Sequence, residues 1–275
     1  MAKLSSPYDP AMAPKDLKFV IYEKKGHVAY ITLNRPEVRN ALHTFSYREM
    51  RACWLDMGMD PKIRVGIVSA TGLAFCAGRD VKFLRQYQEQ GKRTPHEDPT
   101  SPEYFWGGGG MPIDANLEKP LICAVQGFAV GVGLNLFLQC HLRVMADDAW
   151  LGDQHTNVGR MGAPEQIYAA LPRATAAYLT LCNGRLRAPE CLQQGIVNRV
   201  VPKEGLMAAA EELAAMVAKG APKATQAVVK MMRLTAAFSP ELVAFSKHLD
   251  RETGESEECA EGARAFNEKR APIWD

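Results

Sequence analysis

The 275-residue chain has no CxxC pair, no apolar run long enough to span a membrane, no block of like charge and no repeat of fixed period. Each absence closes off a class of protein. A helical membrane span needs about 20 consecutive apolar residues, and the N-terminal segment, with only Lys3 ahead of Ser, Pro and Asp residues, lacks the apolar region of a secretory leader. The formal net charge of +2, spread over scattered basic residues, leaves no electrostatic footprint for nucleic acid and favours acidic small molecules as charged partners. The seven cysteines (Cys53, Cys76, Cys123, Cys140, Cys182, Cys191, Cys259) are odd in number and mostly sit in apolar runs, which reads as buried reduced thiols. His141 adjoins Cys140, whereas His27, His43, His96 and His248 are dispersed, so no metal site is expected. These exclusions leave a cytoplasmic enzyme as the expectation.

A hydrophobic content of 47% is enough for one large core or a core with a helical appendage. Residues 1–16, with Pro7, Pro10 and Pro14, read as a loose arm; residues 17–200 as the core; residues 201–275 as a helical segment. Lys18–Tyr22 and Val28–Leu33 read as a hairpin around Lys24-Lys25-Gly26. Thr44 or Ser46 is the expected cap of a helix reaching about Met59, with Met50, Cys53, Trp54 and Met57 at helical spacing, before a strand Val65–Ser69. Residues 91–112, with Gly91, Pro95, Pro99, Pro102 and the Gly107–Gly110 run, read as a long irregular loop. Leu121–Val125 then reads as a strand, Val132–Gln139 as a helix and Leu142–Met145 as a strand, a rhythm that suggests ββα units and a sheet covered by helices. Beyond Pro189 helices dominate, apart from the short run Val197–Val201; Pro202–Lys219, Pro222–Ala236 and Pro240–Glu258 each start near a proline.

Two distant stretches carry the chemistry: Phe75-Cys76-Ala77-Gly78-Arg79-Asp80-Val81-Lys82 and Gly127-Phe128-Ala129-Val130-Gly131-Val132-Gly133-Leu134-Asn135. A thioester carbonyl that turns into an enolate or a tetrahedral adduct needs donors aimed at its oxygen, and backbone N–H groups in glycine-rich turns supply them with no long side chain to order. A helix beginning after Gly131 adds free first-turn N–H groups. The Gly131–Gly133 pair lacks the third glycine of a dinucleotide fingerprint, so each stretch alone also fits a plain tight turn; together and in order they read as the two halves of one oxyanion hole.

Carrying both stretches in this order, the chain resembles the crotonase family, the enoyl-CoA hydratase/isomerase superfamily. The resemblance runs from Leu33-Asn34-Arg35-Pro36-Glu37-Val38-Arg39-Asn40-Ala41-Leu42 through Phe75–Lys82 and Ala124–Asn135 to the tail Ala265-Phe266-Asn267-Glu268-Lys269-Arg270, and covers about residues 17–272. It implies an α/β fold, a crotonase-like spiral of ββα repeats with a C-terminal helical trimerisation segment, in trimers that often pair into hexamers. It implies an acyl-CoA substrate, with coenzyme A part of that substrate and no separate cofactor; the near-neutral charge and the lack of a long apolar run set the expectation of no nucleic-acid and no membrane partner. By the same resemblance the oxyanion donors are the N–H groups of Arg79 and Val132, whose side chains are larger than the family's usual small residues. Ala77, Gly78 and Asp80, with Gly131, fall where the acyl-CoA is held. Arg35, Arg39 and Lys269 are placed to meet its phosphates, although a solvated surface charge is an equal reading of Arg39 and Lys269. Phe266 either lines the adenine or acyl end or packs in a core.

The resemblance also implies two catalytic glutamates, and neither aligns with a glutamate here: the first falls on Asn135 and the second near His155. Hydration needs one group to accept a proton from water and one to deliver a proton to carbon, which an amide does not do at neutral pH. His155 is the leading replacement because its unperturbed pKa lies near neutrality; Asp153, two residues away, faces the same side if the segment is a strand. Glu165 in Gly162-Ala163-Pro164-Glu165-Gln166 is the other candidate, since some isomerases of the family carry a glutamate in this loop, although a carboxylate merely complementing a helix N-terminus fits as well. Cys76 precedes the hole and reads as an inert thiol. The expectation is an enzyme that polarises an acyl-CoA thioester and moves a proton with His155 or Glu165. The alternatives are a carbon–carbon bond or thioester hydrolase, and a non-catalytic acyl-CoA-binding scaffold.

Overall fold

The structure, a computed structural model, describes residues 13–94, 110–235 and 239–274. Most of the arm at 1–16 and of the loop at 91–112 therefore lies outside the described residues. Nine strands and ten α-helices follow one another in those segments. They are β1 (Val20–Lys25), β2 (Val28–Leu33), α1 (Thr44–Met59), β3 (Val65–Ala70), α2 (Val81–Gln88), β4 (Leu121–Val125), β5 (Phe128–Val130), α3 (Val132–Leu138), β6 (Leu142–Ala146) and β7 (Trp150–Gly152). After these come α4 (Pro164–Ala170), α5 (Arg173–Leu181), β8 (Leu186–Arg187), α6 (Ala188–Gln193), β9 (Arg199–Val201), α7 (Leu206–Ala218), α8 (Pro222–Thr235), α9 (Pro240–Gly254) and α10 (Glu257–Glu268).

The larger sheet has strand order β1-β2-β3-β4-β6-β9, with only the β1–β2 hairpin antiparallel. Its hairpin turns at Gly26 and His27, with Gly26 at φ +59°, two residues beyond the expected start. Strand β4 is buried at every position because helices cover both faces of the parallel sheet. Alternation on β2 shows the two faces: Ala29, Ile31 and Leu33 enter the main core with Trp54 and Met57 of α1, whereas Val28 and Tyr30 pack against the second core built on Leu206, Ala210 and Leu213 of α7. The start of β1 is fixed by Glu49 of α1, whose carboxylate accepts the N–H groups of Lys18, Phe19 and Val20 at 2.7–3.1 Å. A second, three-stranded sheet orders as β5-β7-β8.

Several boundaries differ from expectation for identifiable reasons. The cap of α1 is His43, whose Nδ1 accepts the Ser46 N–H at 3.1 Å, rather than Thr44 or Ser46. The single helix expected over Pro240–Glu258 is two helices, because Ser256 accepts the Cys259 N–H and starts α10 afresh. Strands β5, β7 and β8 hold three, three and two residues, too short to show a period in the sequence.

Candidate active site

The two glycine-rich stretches lie side by side. Cys76 N–H bonds to Phe128 C=O at 3.1 Å and Val130 N–H returns to Cys76 C=O at 3.0 Å. Beyond this pairing Gly78, at φ +94°, runs close to Val130: a Cβ on Gly78 would lie 3.2 Å from the Val130 oxygen. On the next turn a Cβ at Gly133 would strike Cys76, at 2.7 Å from its Cβ. Glycine at both points lets α3 and the 76–80 strip approach within backbone distance. Leu42 brackets Arg79, donating to Gly78 C=O and accepting from Asp80 N–H, both at 2.8 Å. Val132 is the first residue of α3, where the helix offers its N–H no internal acceptor. Arg79 and Val132 thus end two strips that the core holds in register.

His155 reaches the same place from another element. Strand β7 stops at Gly152, Gln154 takes φ +67°, and His155 enters a 3₁₀ turn, Thr156–Val158. The expected strand geometry is therefore absent, but the left-handed residue between them brings Asp153 and His155 together: Nδ1 meets Asp153 Oδ1 at 2.7 Å. A carboxylate only accepts, so Nδ1 carries a proton, and the tautomer this selects for a neutral ring has its lone pair on Nε2. The Nε2 edge faces Gly131, standing 3.6 Å from where a Cβ on that glycine would lie, one residue before Val132. The Asp153 side chain is 1% exposed and that of His155 17%, which leaves the imidazole an accessible edge. Among the described residues two buried oxygens, Asp153 Oδ2 and Asn135 Oδ1, have no hydrogen-bond partner.

The other described histidines are used differently. His43 and His141 accept backbone N–H groups at Nδ1, and burial lowers the pKa of both. His27 Nδ1 contacts Lys62 C=O and His248 contacts Arg251. Among the described histidines His155 is the one paired with a carboxylate. Glu165, in the first turn of α4, accepts the Ser246 hydroxyl of α9 at 2.7 Å. Cys76 is fully buried and burial pushes its pKa up to about 12, so its thiol is not a nucleophile near neutrality. No cluster of three or more His, Cys, Asp or Glu side chains able to hold a metal occurs among the described residues.

The enoyl-CoA hydratase/isomerase family profile matches residues 23–275. The chain belongs to the enoyl-CoA hydratase/isomerase family. It is 31% identical over 260 residues to (E)-benzylidenesuccinyl-CoA hydratase of Thauera aromatica, covering 93% of this chain and 98% of that protein. It is 33% identical to enoyl-CoA hydratase EchA19 of Mycobacterium tuberculosis, covering 92% and 94% of the two chains. Among solved structures, carnitinyl-CoA hydratase from Mycobacterium avium superposes with a TM-score of 0.78 at 28% identity, over 94% of this chain and 98% of that one. The two sheets and C-terminal helices are thus the crotonase fold, and this enoyl-CoA hydratase-family member is an acyl-CoA-acting enzyme of the lyase type.

In this crotonase the residues expected around the coenzyme divide. Arg35 and Asp80 hold each other at 2.9 Å; Arg35 also donates to Ala41 C=O, and Asp80 caps α2 through Phe83 N–H. Their charges lock the turn that leads into the Gly78–Arg79 strip. Arg39, left-handed at φ +53° and exposed, lends its C=O to Ala77 N–H at 2.9 Å. Phe266, 62% exposed, and Lys269, the left-handed C-cap of α10, sit on a helix that packs against the Thr156–Val158 turn just after His155. Sequence reasoning missed Gly162, Arg160, Ser246 and Asp250. Gly162 stood in the quoted loop only as the setting of Glu165, and the others lie on partners distant in sequence.

Proposed function

We propose that this enzyme adds water to an α,β-unsaturated acyl-CoA, or removes it from the 3-hydroxyacyl-CoA, with His155 as the acid/base group. Asp153 orients the imidazole, and the N–H groups of Arg79 and Val132 hold the thioester oxygen. The observation that carries this is the 2.7 Å Asp153–His155 contact together with the Nε2 edge facing Gly131.

In the hydration direction Nε2 accepts a proton from water as the water oxygen bonds to C3. The C2=C3 electron pair shifts toward C1, and the thioester carbonyl becomes an enolate whose oxygen takes two backbone hydrogen bonds. The imidazolium, steadied by Asp153, then returns its proton to C2, and one water has been added. A single group thus performs both proton transfers, in place of two glutamates. General acid–base catalysis of this kind is worth roughly 10²–10⁴ in rate, and each oxyanion donor roughly 10²–10³. Asn135 serves as an acceptor: among the described residues its buried Oδ1 has no partner, which suits a donor on the water or on the product hydroxyl.

Similarity to hydratases named for benzylidenesuccinyl-CoA and enoyl-CoA supports this direction of chemistry. For the coenzyme we assign Ala77, Gly78 and the exposed Arg39 to the CoA side, and leave Arg35 and Asp80 with the turn they lock. Phe266 and Lys269 are proposed for the far end of the ligand. The C-terminal helices expose Val228, Met231, Met232 and Phe245, which favours burial against further copies in a trimer or hexamer. No described helix is long and apolar enough to cross a membrane, and a cytoplasmic enzyme remains the proposal.

The test is a panel of enoyl-, 3-hydroxyacyl- and β-oxoacyl-CoA esters with product mass as the readout. Hydration gains one water, isomerisation leaves mass unchanged, and hydrolysis yields fragments; the last would favour an Asp153–His155 pair that activates water against a carbonyl. If His155→Ala leaves every detected activity unchanged, the assignment of roles is wrong, and a loss seen only in Glu165→Ala would move the proton transfer to Glu165.

A further inference from the structure

A hydrogen bond from Nδ1 to Asp153 fixes the direction of one N–H vector, but it leaves the imidazole free to tilt about that vector. Something else has to hold the ring's face. The structure supplies it at Gly162, whose φ of +73° turns its Cα against the ring: a Cβ there would lie 2.4 Å from His155 Nδ1 and 2.7 Å from Cγ. His155 is therefore flanked by two glycines, Gly131 at its Nε2 edge and Gly162 over Nδ1.

The loop that carries Gly162 is tied outward, to α9. Gly162 N–H donates to Asp250 Oδ1 at 3.1 Å, and Met161 N–H donates to Thr253 Oγ1 at 3.2 Å. The other oxygen of Asp250, Oδ2, takes Arg160 Nη2 at 3.1 Å. Arg160 in turn donates its own N–H to the C=O of His155 at 3.1 Å, and its guanidinium lies close over Gly254. One carboxylate thus grips both the residue that backs the ring and the residue bonded to the histidine's main chain.

We infer that Asp250 is a positioning residue for His155, acting through Gly162 and Arg160. This rests on the proposed role of His155. The side chains of Arg160 and Asp250 are 25% and 34% exposed, so solvent screens their charge–charge attraction, and the effect is geometric. Asparagine at 250 keeps an oxygen for Gly162 N–H and alanine keeps none. Displacing a reacting group by about 1 Å costs up to roughly 10²-fold in rate.

The experiment is a long-range ¹H–¹⁵N spectrum of the imidazoles in the full-length protein, with the His155 signals assigned by their loss in His155→Gln, beside steady-state kinetics on an enoyl-CoA ester. In wild type His155 is expected as the Nδ1–H tautomer. Asp250→Ala is expected to shift or broaden that signal and to lower kcat by about 10- to 100-fold with KM within about threefold, while Asp250→Asn recovers most of both. Arg160→Met, a second variant that spares the acceptor for Gly162, is expected to fall between them. An unchanged His155 signal in folded Asp250→Ala, or an Asp250→Asn protein as impaired as Asp250→Ala, overturns the inference. If Asp250→Ala does not fold, an unperturbed His155 signal and kcat in Arg160→Met overturn it instead. Should His155→Gln leave turnover intact, the catalytic role of His155 fails while the spectrum still reports whether Asp250 holds the ring.

Discussion

The two halves of the proposed active site are built from different materials. The oxyanion half is backbone: the 76–80 and 127–133 strips pair by main-chain hydrogen bonds inside the core, with glycine where they approach closest. The acid/base half is side chain: His155 hangs on a 3₁₀ turn outside both sheets, gripped by Asp153, backed by Gly162 and tied to α9. A backbone device tolerates change in the side chains it carries, so Arg79 and Val132 can stand in place of small residues without disturbing it. A side-chain device is replaceable, and in the proposed reading a histidine with its carboxylate does the work for which the resemblance expects glutamates. On the proposed function the lesson is a division of labour in which polarising the thioester is built into the fold and moving the proton is not.

That division can be broken from either side. The largest effect is expected from His155→Ala, a loss of roughly 10²–10⁴ in kcat with the melting temperature nearly unchanged, measured by steady-state kinetics beside calorimetry. Equal turnover in the variant would dissolve the distinction. Gly127→Ala attacks the backbone half: at φ +62° its Cβ would sit 2.0 Å from the Leu73 oxygen, so loss of folding rather than a selective loss of rate is expected, read as melting temperature or soluble yield. A stable but slow Gly127→Ala protein would show the hole to be less tied to the core than described. Glu165→Gln should change kcat by less than about threefold, because a glutamine oxygen still accepts the Ser246 hydroxyl; a larger loss, rising with pH, would return the base to Glu165. The smallest effect is at Cys76. With its pKa pushed up to about 12 it remains a thiol at pH 8, so brief alkylation should label exposed Cys182 first, leave Cys76 unmodified by peptide mass, and leave activity intact.

The same division explains what could be read in advance. Strands β2, β3 and β4 and helix α3 are legible because continuous or alternating apolar residues mark them, and the glycines of both strips are visible as residues. The pairing of Asp153 with His155 is legible in outcome but not in geometry, since the left-handed Gln154 that creates it carries no glycine to announce it. The grip of α9 is invisible to local reading: Arg160 and Gly162 find Asp250 across separations of 90 and 88 residues. Arg35 also misleads locally. Its guanidinium looks available for phosphate until Asp80, 45 residues on, neutralises it. One missed signal was present, because Gly254-Glu255-Ser256 places a helix-ending glycine before a capping serine at the break between α9 and α10.

Among the described residues no group bonds to the buried Asp153 Oδ2, and an unpaired buried polar atom weakens the native state. The proposed chemistry needs its twin against Nδ1. Substitutions at Asp153 are therefore expected to pull thermal stability and turnover in opposite directions. A variant of this residue that melts no lower than wild type, yet is nearly inactive, is the signature to seek by pairing a melting curve with a rate.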